Sequence, residues 1–496
     1  MLSKSKYCAF VQCPRNLWLS TYKSELATPN ASLDARMEAG NEIGDLAMQL
    51  FGDFVEVTSY KDDGKIDLSE MISRTNELIL ERCPVICEAS FSYNGNYCAV
   101  DILKRDGSGY AIYEVKSSTH ASQIYAVDIA YQKYVLENCG INVTGTYLVC
   151  INSNYVFDGT LKLNEFFQII DLSTEVAEEY QYVESNILAA NDIIDDPAEP
   201  LYGLSENCNA PYPCAFWEHC SAHLPNPSVF DLYRFGFKNE IEYYKKGIVS
   251  YEDLEHDAAT KNHIRSLQVS HELHDLGTYT DNKGIKKFLD TLSFPLYFLD
   301  FETMQPIIPE FVGTKPYAQI PFQYSLHYLE TPDGELKHKE FLGISGEDPR
   351  RAIAEQLCAD IPKNVCVLAY NKGFECGRIR ELASYFSDLA DHLLNIEQNI
   401  KDLIDPFRAG HSYNRAMGGS FSIKSVLPAI YPDVPDLDYH NLEGVHNGGE
   451  AMDLFPRIKD LPIDEQAVAR HNLLKYCELD TYAMVKVWEE LVRTCQ

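Results

Sequence analysis

The residues of this chain best suited to chemistry are carboxylates in a fixed order towards its carboxyl end: Asp300-Phe301-Glu302, then Asn371 with Phe374-Glu375, then Tyr476 with Asp480. Asp300, Glu302, Glu375 and Asp480 offer hard oxygen donors, the ligand type that suits Mg²⁺ or Mn²⁺. A pair of such ions about 3.5–4 Å apart activates water and neutralises a leaving oxygen, which is the chemistry of phosphodiester hydrolysis. Tyr476, close to the last acid, is placed to orient the water. A second group combines Asp101 with Glu114 and Lys116, acids for a metal and a lysine to steady developing charge. A third is Cys208, Cys214 and Cys220, three thiols in a short, turn-rich stretch that could share a metal centre.

Particular elements must deliver these groups. Leu296-Tyr297-Phe298-Leu299 is a continuous apolar run, as expected of a strand buried on both faces, and period 2 puts Asp300 and Glu302, at its carboxyl end, on one face. Val365 to Tyr370 reads as a second strand, which ends at Asn371 and turns through Gly373 into a helix carrying Glu375 in its first turn. Tyr476 and Asp480, four apart, project from one side of a helix whose apolar stripe is Leu473, Cys477, Met484 and Leu491. Three elements are therefore expected to converge on one site. In the first half, Tyr97 to Leu103 and Tyr110 to Lys116 read as a hairpin around Asp106-Gly107-Ser108-Gly109. Asp101 lies on its first strand, Glu114 and Lys116 share a face of the second, and Asp128 and Gln132 share a face of a helix from Ala126 to Glu137.

The carboxyl-terminal set resembles the DEDD exonucleases of the RNase H-like superfamily, in the subtype whose third motif is Tyr, three residues, then Asp. That resemblance implies a 3′ to 5′ exonuclease with Asp300, Glu302, Glu375 and Asp480 as metal ligands and Tyr476 aligning the nucleophile. The family usually has Asp where this chain has Glu375. Asp402-Leu403 and Ser422-Ile423-Lys424 to Leu427 also look like landmarks of that family. The amino-terminal set resembles the RecB-type PD-(D/E)XK nucleases and the CRISPR-associated exonucleases. It implies Asp101 and Glu114 as metal ligands, Lys116 as catalytic, Gln132 in the helical motif that follows, and Glu88 as an upstream acid. Many relatives carry a histidine where Gly40-Asn41-Glu42-Ile43-Gly44 has glycine. Iron–sulfur members of that family close a [4Fe-4S] cluster with one amino-terminal cysteine, which brings in Cys13 beside Cys208, Cys214 and Cys220. Zn²⁺ is the rival occupant and Cys8 the rival of Cys13. The domain order is similar to that of an uncharacterised prokaryotic two-nuclease family.

Length and composition fit this division. A chain of 496 residues exceeds one core, and 45% hydrophobic content is ample for two. The expected architecture is α/β, with a restriction-endonuclease-like core over 1–225, a helical connector over 226–290 whose role is packing, and an RNase H-like core over 291–496. No run of about 18 uncharged apolar residues occurs, and Met1-Leu2-Ser3-Lys4-Ser5-Lys6 lacks an apolar signal segment, so no membrane association and a cytoplasmic location are expected. Fifteen cysteines, an odd number, argue for a reducing compartment. The net charge of −32 opposes a nucleic-acid partner globally, but Lys116, Lys133, Arg378, Arg380 and Lys424 lie near the proposed sites in sequence. Single-stranded DNA is the expected substrate, RNA the alternative. Two other readings stay open: one active exonuclease site beside a non-catalytic end-binding domain, and a non-enzymatic nucleic-acid-binding protein.

Overall fold

Alternating apolar strands build two mixed α/β cores. The computed structural model describes the backbone of residues 1–29 and 31–496 and the side chains of 1–29 and 40–496. The chain divides into two compact units, Met1–His223 with Ile307–Tyr317, and Leu224–Pro306 with Ala318–Gln496. Residues 226–290, expected as a separate connector, thus belong to the second unit, and Ile307–Tyr317, expected in the carboxyl-terminal domain, belong to the first. Among the described residues no helix is long and apolar enough to cross a membrane.

The sheet of the first unit comprises β1 (Leu2–Ser3), β2 (Val55–Glu56), β3 (Val85–Tyr93), β4 (Asn96–Asp106), β5 (Gly109–Val115), β6 (Val143–Ile151) and β7 (Phe167–Asp171). Its order is β2-β3-β4-β5-β6-β7, with β1 pairing the start of β4. Strands β3, β4 and β5 form an antiparallel meander, and β6 runs parallel to β5 after the helix Gln123–Asn138 crosses over. Ile112 and Leu148 pack towards that helix, whereas Tyr113 and Val149 pack on the opposite face, the period expected of a sheet covered on both sides. The period slips once. Ala89 and Phe91 share the face of Ile86, and Val100 shares that of Leu103, so the offset falls at Glu88 and Asp101, where the ladder is interrupted between the pairs Cys87–Ile102 and Ala89–Val100. Glu88 adopts φ of 56°, a left-handed conformation that costs a non-glycine residue about 1–3 kcal/mol.

The second unit contains β8 (Tyr279–Thr280), β9 (Leu296–Met304), β10 (Ile320–Leu329), β11 (Lys337–Leu342), β12 (Cys366–Ala369), β13 (Ile400–Asp402) and β14 (Ser412–Tyr413). The main sheet has the order β11-β10-β9-β12-β13, while β8 and β14 pair separately. Strands β9, β10 and β11 are antiparallel, and β12 and β13 run parallel to β9. Tyr297, Leu299 and Phe301 pack on the helices Arg350–Asp360 and Gly373–Tyr385. The other face of β9 carries Phe298, Asp300 and Glu302 and lies under the helix Ile463–Thr494, where Trp488 meets Phe298 with ring centroids 5.8 Å apart. Strand β9 runs past both acids to Met304, so they lie inside the strand and not at its end. Its partner β12, however, pairs only as far as Phe298, which leaves Asp300 and Glu302 beyond the end of the parallel ladder.

Candidate functional site

The expected convergence occurs in the second unit. Ligand atoms of Asp300, Glu302 and Cys477 all lie within 4.8 Å of one another. Cys477, read from sequence only as part of the apolar stripe, lies with its Sγ 3.9 Å from Asp300 Oδ2. Burial, reinforced by Asp480, Glu302 and Glu375, pushes the Asp300 carboxyl well above the usual range. Burial, with Asp480 and Glu375, pushes Glu302 up to about 8, partly offset by Lys424. Glu375 rises to about 8 through burial and Asp402, and Asp480 to about 6 through burial, tempered by hydrogen bonds from Tyr439 and Tyr476. Four carboxylates crowded into one desolvated site cannot all ionise at neutral pH without added positive charge. Glu375 Oε2 is buried with no hydrogen-bond partner, an acceptor left open to a cation. Asp300, Glu302 and Cys477 thus form a group that could hold a metal ion, with Glu375 and Asp480 close enough to raise the Asp300 carboxyl.

Side chains of β10 fix the register of the helix that brings Tyr476 and Asp480. Ser325 stands opposite Asp300 and Gln323 opposite Glu302. Gln323 Nε2 donates to Leu473 O at 2.8 Å, and Ser325 Oγ and His327 Nδ1 lie 2.6 and 2.8 Å from Thr481 Oγ1, one residue past Asp480. Tyr439, unforeseen from sequence, donates to Asp480 Oδ1 at 2.7 Å. Lys424 Nζ lies 3.4 Å from Tyr476 Oη and 4.8 Å from the Tyr439 ring centroid. Asp402 is structural: its carboxylate accepts from the amides of Asn371 and Lys372 at 2.8 and 3.2 Å. It thereby pins the turn, left-handed at Asn371 with φ of 65°, that starts the Glu375 helix.

The first unit gathers Asp101, Glu114, Lys116, Asp128 and Gln132. Lys116 Nζ donates to Glu114 Oε1 at 2.6 Å and Asp128 Oδ2 at 3.1 Å. Gln132 Nε2 donates to Glu114 Oε2 at 2.7 Å and to Asp128 Oδ1 at 3.0 Å, so one face of the helix carries both partners. Burial and the neighbouring Asp101 carboxylate raise Glu88 to about 7, so the upstream acid belongs to this group. Sequence reasoning missed Lys4. Pairing of Leu2 and Ser3 with Asn96 and Tyr97 brings its Nζ to 3.0 Å from Glu114 Oε1 and 3.4 Å from Asp101 Oδ1, between the two expected metal ligands. Of the other cations, Lys133 lies near Glu137 and Arg380 pairs with Glu397, while Arg378 lowers Glu375.

The cysteine group is brought together by one side chain. Gln12 Nε2 donates to the carbonyls of Asn207, Ala210 and Tyr212 at 3.0, 3.2 and 2.9 Å, which ties Cys13 to the loop holding Cys208 and Cys214. Burial raises the thiol of Cys220 to about 11, and Cys214, Cys208 and Cys13 act on it in turn. Cys8 lines a cavity with Lys4, Lys116 and Asp128 that also touches Gln12 and Tyr212, and it is Cys13 that acts on Cys220. Among the described residues, the group whose ligand atoms all lie within 4.8 Å of one another is Asp300, Glu302 and Cys477, and these four cysteines do not form such a group.

A family model described as a domain of unknown function (DUF2779) matches residues 297–422. The match takes in Asp300, Glu302 and Glu375 and stops short of Tyr476 and Asp480. The chain is also similar to the uncharacterized protein UU173 of Ureaplasma parvum serovar 3, with 30% identity over 227 residues, 41% of this chain. It spans 32% of the length of that relative.

Proposed function

We propose that this chain is a metal-dependent nuclease that degrades nucleic acid from its ends, with 3′ to 5′ exonuclease activity in the second unit and single-stranded DNA as the favoured substrate over RNA. The observation that carries this reading is the meeting of Asp300 and Glu302 from β9, Glu375 from the helix after β12, and Tyr476 and Asp480 from the helix Ile463–Thr494. The sheet order supports it, since an antiparallel meander followed by two strands parallel to its first is the core implied by the RNase H-like resemblance. Likewise, the β3-β4-β5 meander with β6 parallel to β5 fits a PD-(D/E)XK core.

Mg²⁺ or Mn²⁺ held by Asp300, Glu302, Glu375 and Asp480 would activate water and neutralise the leaving oxygen. The chain's own groups do the rest. Burial beside Asp480, Glu302 and Asp300 keeps the Tyr476 hydroxyl protonated, a donor that holds a water in line with a phosphorus atom. Lys424, between Tyr476 and Tyr439, meets the negative charge of a phosphate that enters a site otherwise built of acids. In the first unit, Asp101 and Glu114 would hold a like ion, with Lys116 steadying charge and Gln132 orienting Glu114. Cys13, Cys208, Cys214 and Cys220 would hold a [4Fe-4S] cluster, or Zn²⁺, as a crosslink between the two ends of that unit. A cytoplasmic, reducing setting accords with these free thiols.

Lys4 favours a second reading, in which the first unit binds an end without cutting it. Its ammonium already neutralises Asp101 and Glu114, so a metal must displace it. Degradation of 3′- and 5′-labelled single strands by the native chain, Lys116→Ala and Asp300→Ala distinguishes the readings. Loss of all cutting in Asp300→Ala with none in Lys116→Ala establishes one working site, and separable losses establish two. Absence of metal-dependent cutting by the native chain on DNA and RNA refutes the nuclease reading.

A further inference from the structure

A cavity of about 530 Å³ in the second unit is lined by the Asn371 turn, the loop that ends at Ser422, and two residues, Tyr233 and Arg234, from the stretch that sequence reading assigned to packing. Although the chain holds 74 Asp and Glu residues, the lining contains two arginines and no carboxylate. We propose that this cavity binds one nucleotide of a single strand whose end occupies the Asp300 site, with the base on Tyr233 and the phosphate between Arg234 and Arg408. The inference rests on the nuclease reading and adds a substrate subsite to it.

The aromatic wall is rigid. Tyr233, half-buried, lies 5.0 Å from Phe421 between ring centroids, and Tyr370 Oη donates to Phe421 O at 2.8 Å, which fixes its ring against the same loop. Stacking on such a platform tolerates any base, because every base has a π-face. Arg234 is exposed, and its guanidinium lies 5.4 Å from the Tyr233 ring centroid, so a base stacking there must move it aside towards the phosphate. Arg408 donates to Asn371 Oδ1 at 3.0 Å and makes a long ion pair with Asp402 at 3.9 Å.

The backbone that presents Tyr233 and Arg234 is clamped from beneath. Arg265 donates to the carbonyls of Tyr233 and Arg234 at 2.9 and 3.0 Å, and Gln268, 2% exposed, accepts from the Tyr233 amide at 2.9 Å and donates to Asp231 O at 2.7 Å. Arg234 is held left-handed at φ of 46°. On the opposing loop, Gly419 has φ of 75°, and a methyl there would collide with Gln268 and the Asp231 carbonyl. A left-handed arginine whose carbonyl is held by Arg265 is backbone strain maintained beside the cavity. Two segments join the cavity to the acids. Asn371 starts the turn that delivers Glu375, and Ser422 and Ile423 immediately precede Lys424, which reaches Tyr476.

The test is fluorescence anisotropy of labelled single-stranded oligo-dT and oligo-rU with the full chain in EDTA, beside metal-dependent degradation of the same oligonucleotides. Tyr233→Ala should weaken binding by about tenfold, the scale of one lost base stack, and Tyr233→Phe should recover most of that loss. Arg234→Ala, an exposed side chain whose removal leaves the fold intact, should weaken binding by about threefold to tenfold and reduce the salt dependence by about one ion. Lys238→Ala, which removes a charge nearby in sequence, reports the effect of charge alone and should match the native chain. A loss on DNA, on RNA or on both supports the subsite and identifies the strand it takes. Native degradation with Tyr233→Ala and Arg234→Ala both binding within twofold of native overturns the subsite and leaves the nuclease standing. If the native chain neither binds nor degrades either oligonucleotide, the nuclease reading fails and the subsite with it.

Discussion

Replacing Glu302 by Gln should stabilise the metal-free chain at alkaline pH, the opposite of the usual effect of disturbing a buried residue. Glu302 is 8% exposed, and burial, Asp480 and Glu375 raise its carboxyl from 4.5 to about 8. Between those values the unfolded carboxyl is ionised while the folded one keeps its proton, so unfolding releases a proton and stability falls as pH rises through the window. At 1.36 kcal/mol per pH unit the full penalty is about 5 kcal/mol. Part of this returns as Asp300, Glu375 and Asp480 share fewer charges once Glu302 is neutral, leaving about 2–3 kcal/mol for Glu302→Gln. In a unit of this size that corresponds to a rise in Tm of about 5–10 °C at pH 8.5 in EDTA. At pH 5 the difference should shrink below about 1 kcal/mol, because that pH lies only about half a unit above the unfolded carboxyl's 4.5 and most of the window up to about 8 has yet to be crossed. Differential scanning calorimetry at both pH values, with and without Mg²⁺, measures it, and Mg²⁺ should raise the native Tm far more than that of the variant. A native chain as stable as Glu302→Gln at pH 8.5 in EDTA, or a gap independent of pH, would refute the picture of four crowded carboxylates awaiting cations.

Lys4→Met leaves Asp101 and Glu114 without one of their two half-buried counter-ions and should cost about 3 kcal/mol in EDTA, with Mn²⁺ restoring most of it; thermal melts with and without Mn²⁺ report this. Asp402→Ala frees the amides of Asn371 and Lys372 and should cost about 1–3 kcal/mol while lowering kcat, because the turn that aims Glu375 loosens. Glu375→Asp withdraws the carboxylate by one methylene from the site that its helix now serves; steady-state kinetics over a range of Mg²⁺ concentrations should show a higher metal requirement and at least about tenfold less activity, on the scale of lost ligand positioning.

The main site was legible because each of its acids sits on an element with a clean period. Asp300 and Glu302 follow the alternation of Leu296 to Leu299, and the burial of Leu473, Cys477, Met484 and Leu491 gives the helix the rotation that their spacing implied. The register pins Gln323, Ser325 and His327 left a fainter trace, alternating polar residues in an otherwise apolar strand. Tyr439 left none, since it opens a three-residue 3-10 turn, Tyr439–Asn441, too short to carry a period. Lys4 was hidden for a similar reason: only the pairing of Leu2 and Ser3 with β4 puts it among the acids, and nothing local to Ser3-Lys4-Ser5 indicates that pairing. The slip at Glu88 and Asp101 also escaped sequence reading, because a strand that changes face mid-course mimics an ordinary non-alternating apolar run. Tyr233 and Arg234 read as part of a polar helical stretch, and only the clamp by Arg265 and Gln268, distant in sequence, gives them a direction.

The most direct measurement is the release of mononucleotides from a single-stranded DNA labelled at its 5′ end, with Mg²⁺ or Mn²⁺, by the anaerobically purified native chain and Asp300→Ala. A ladder shortening stepwise from the 3′ end in the native chain, absent with EDTA and absent in Asp300→Ala, is the expected result. Equal ladders from both proteins would contradict the assignment of exonuclease chemistry to the Asp300 site.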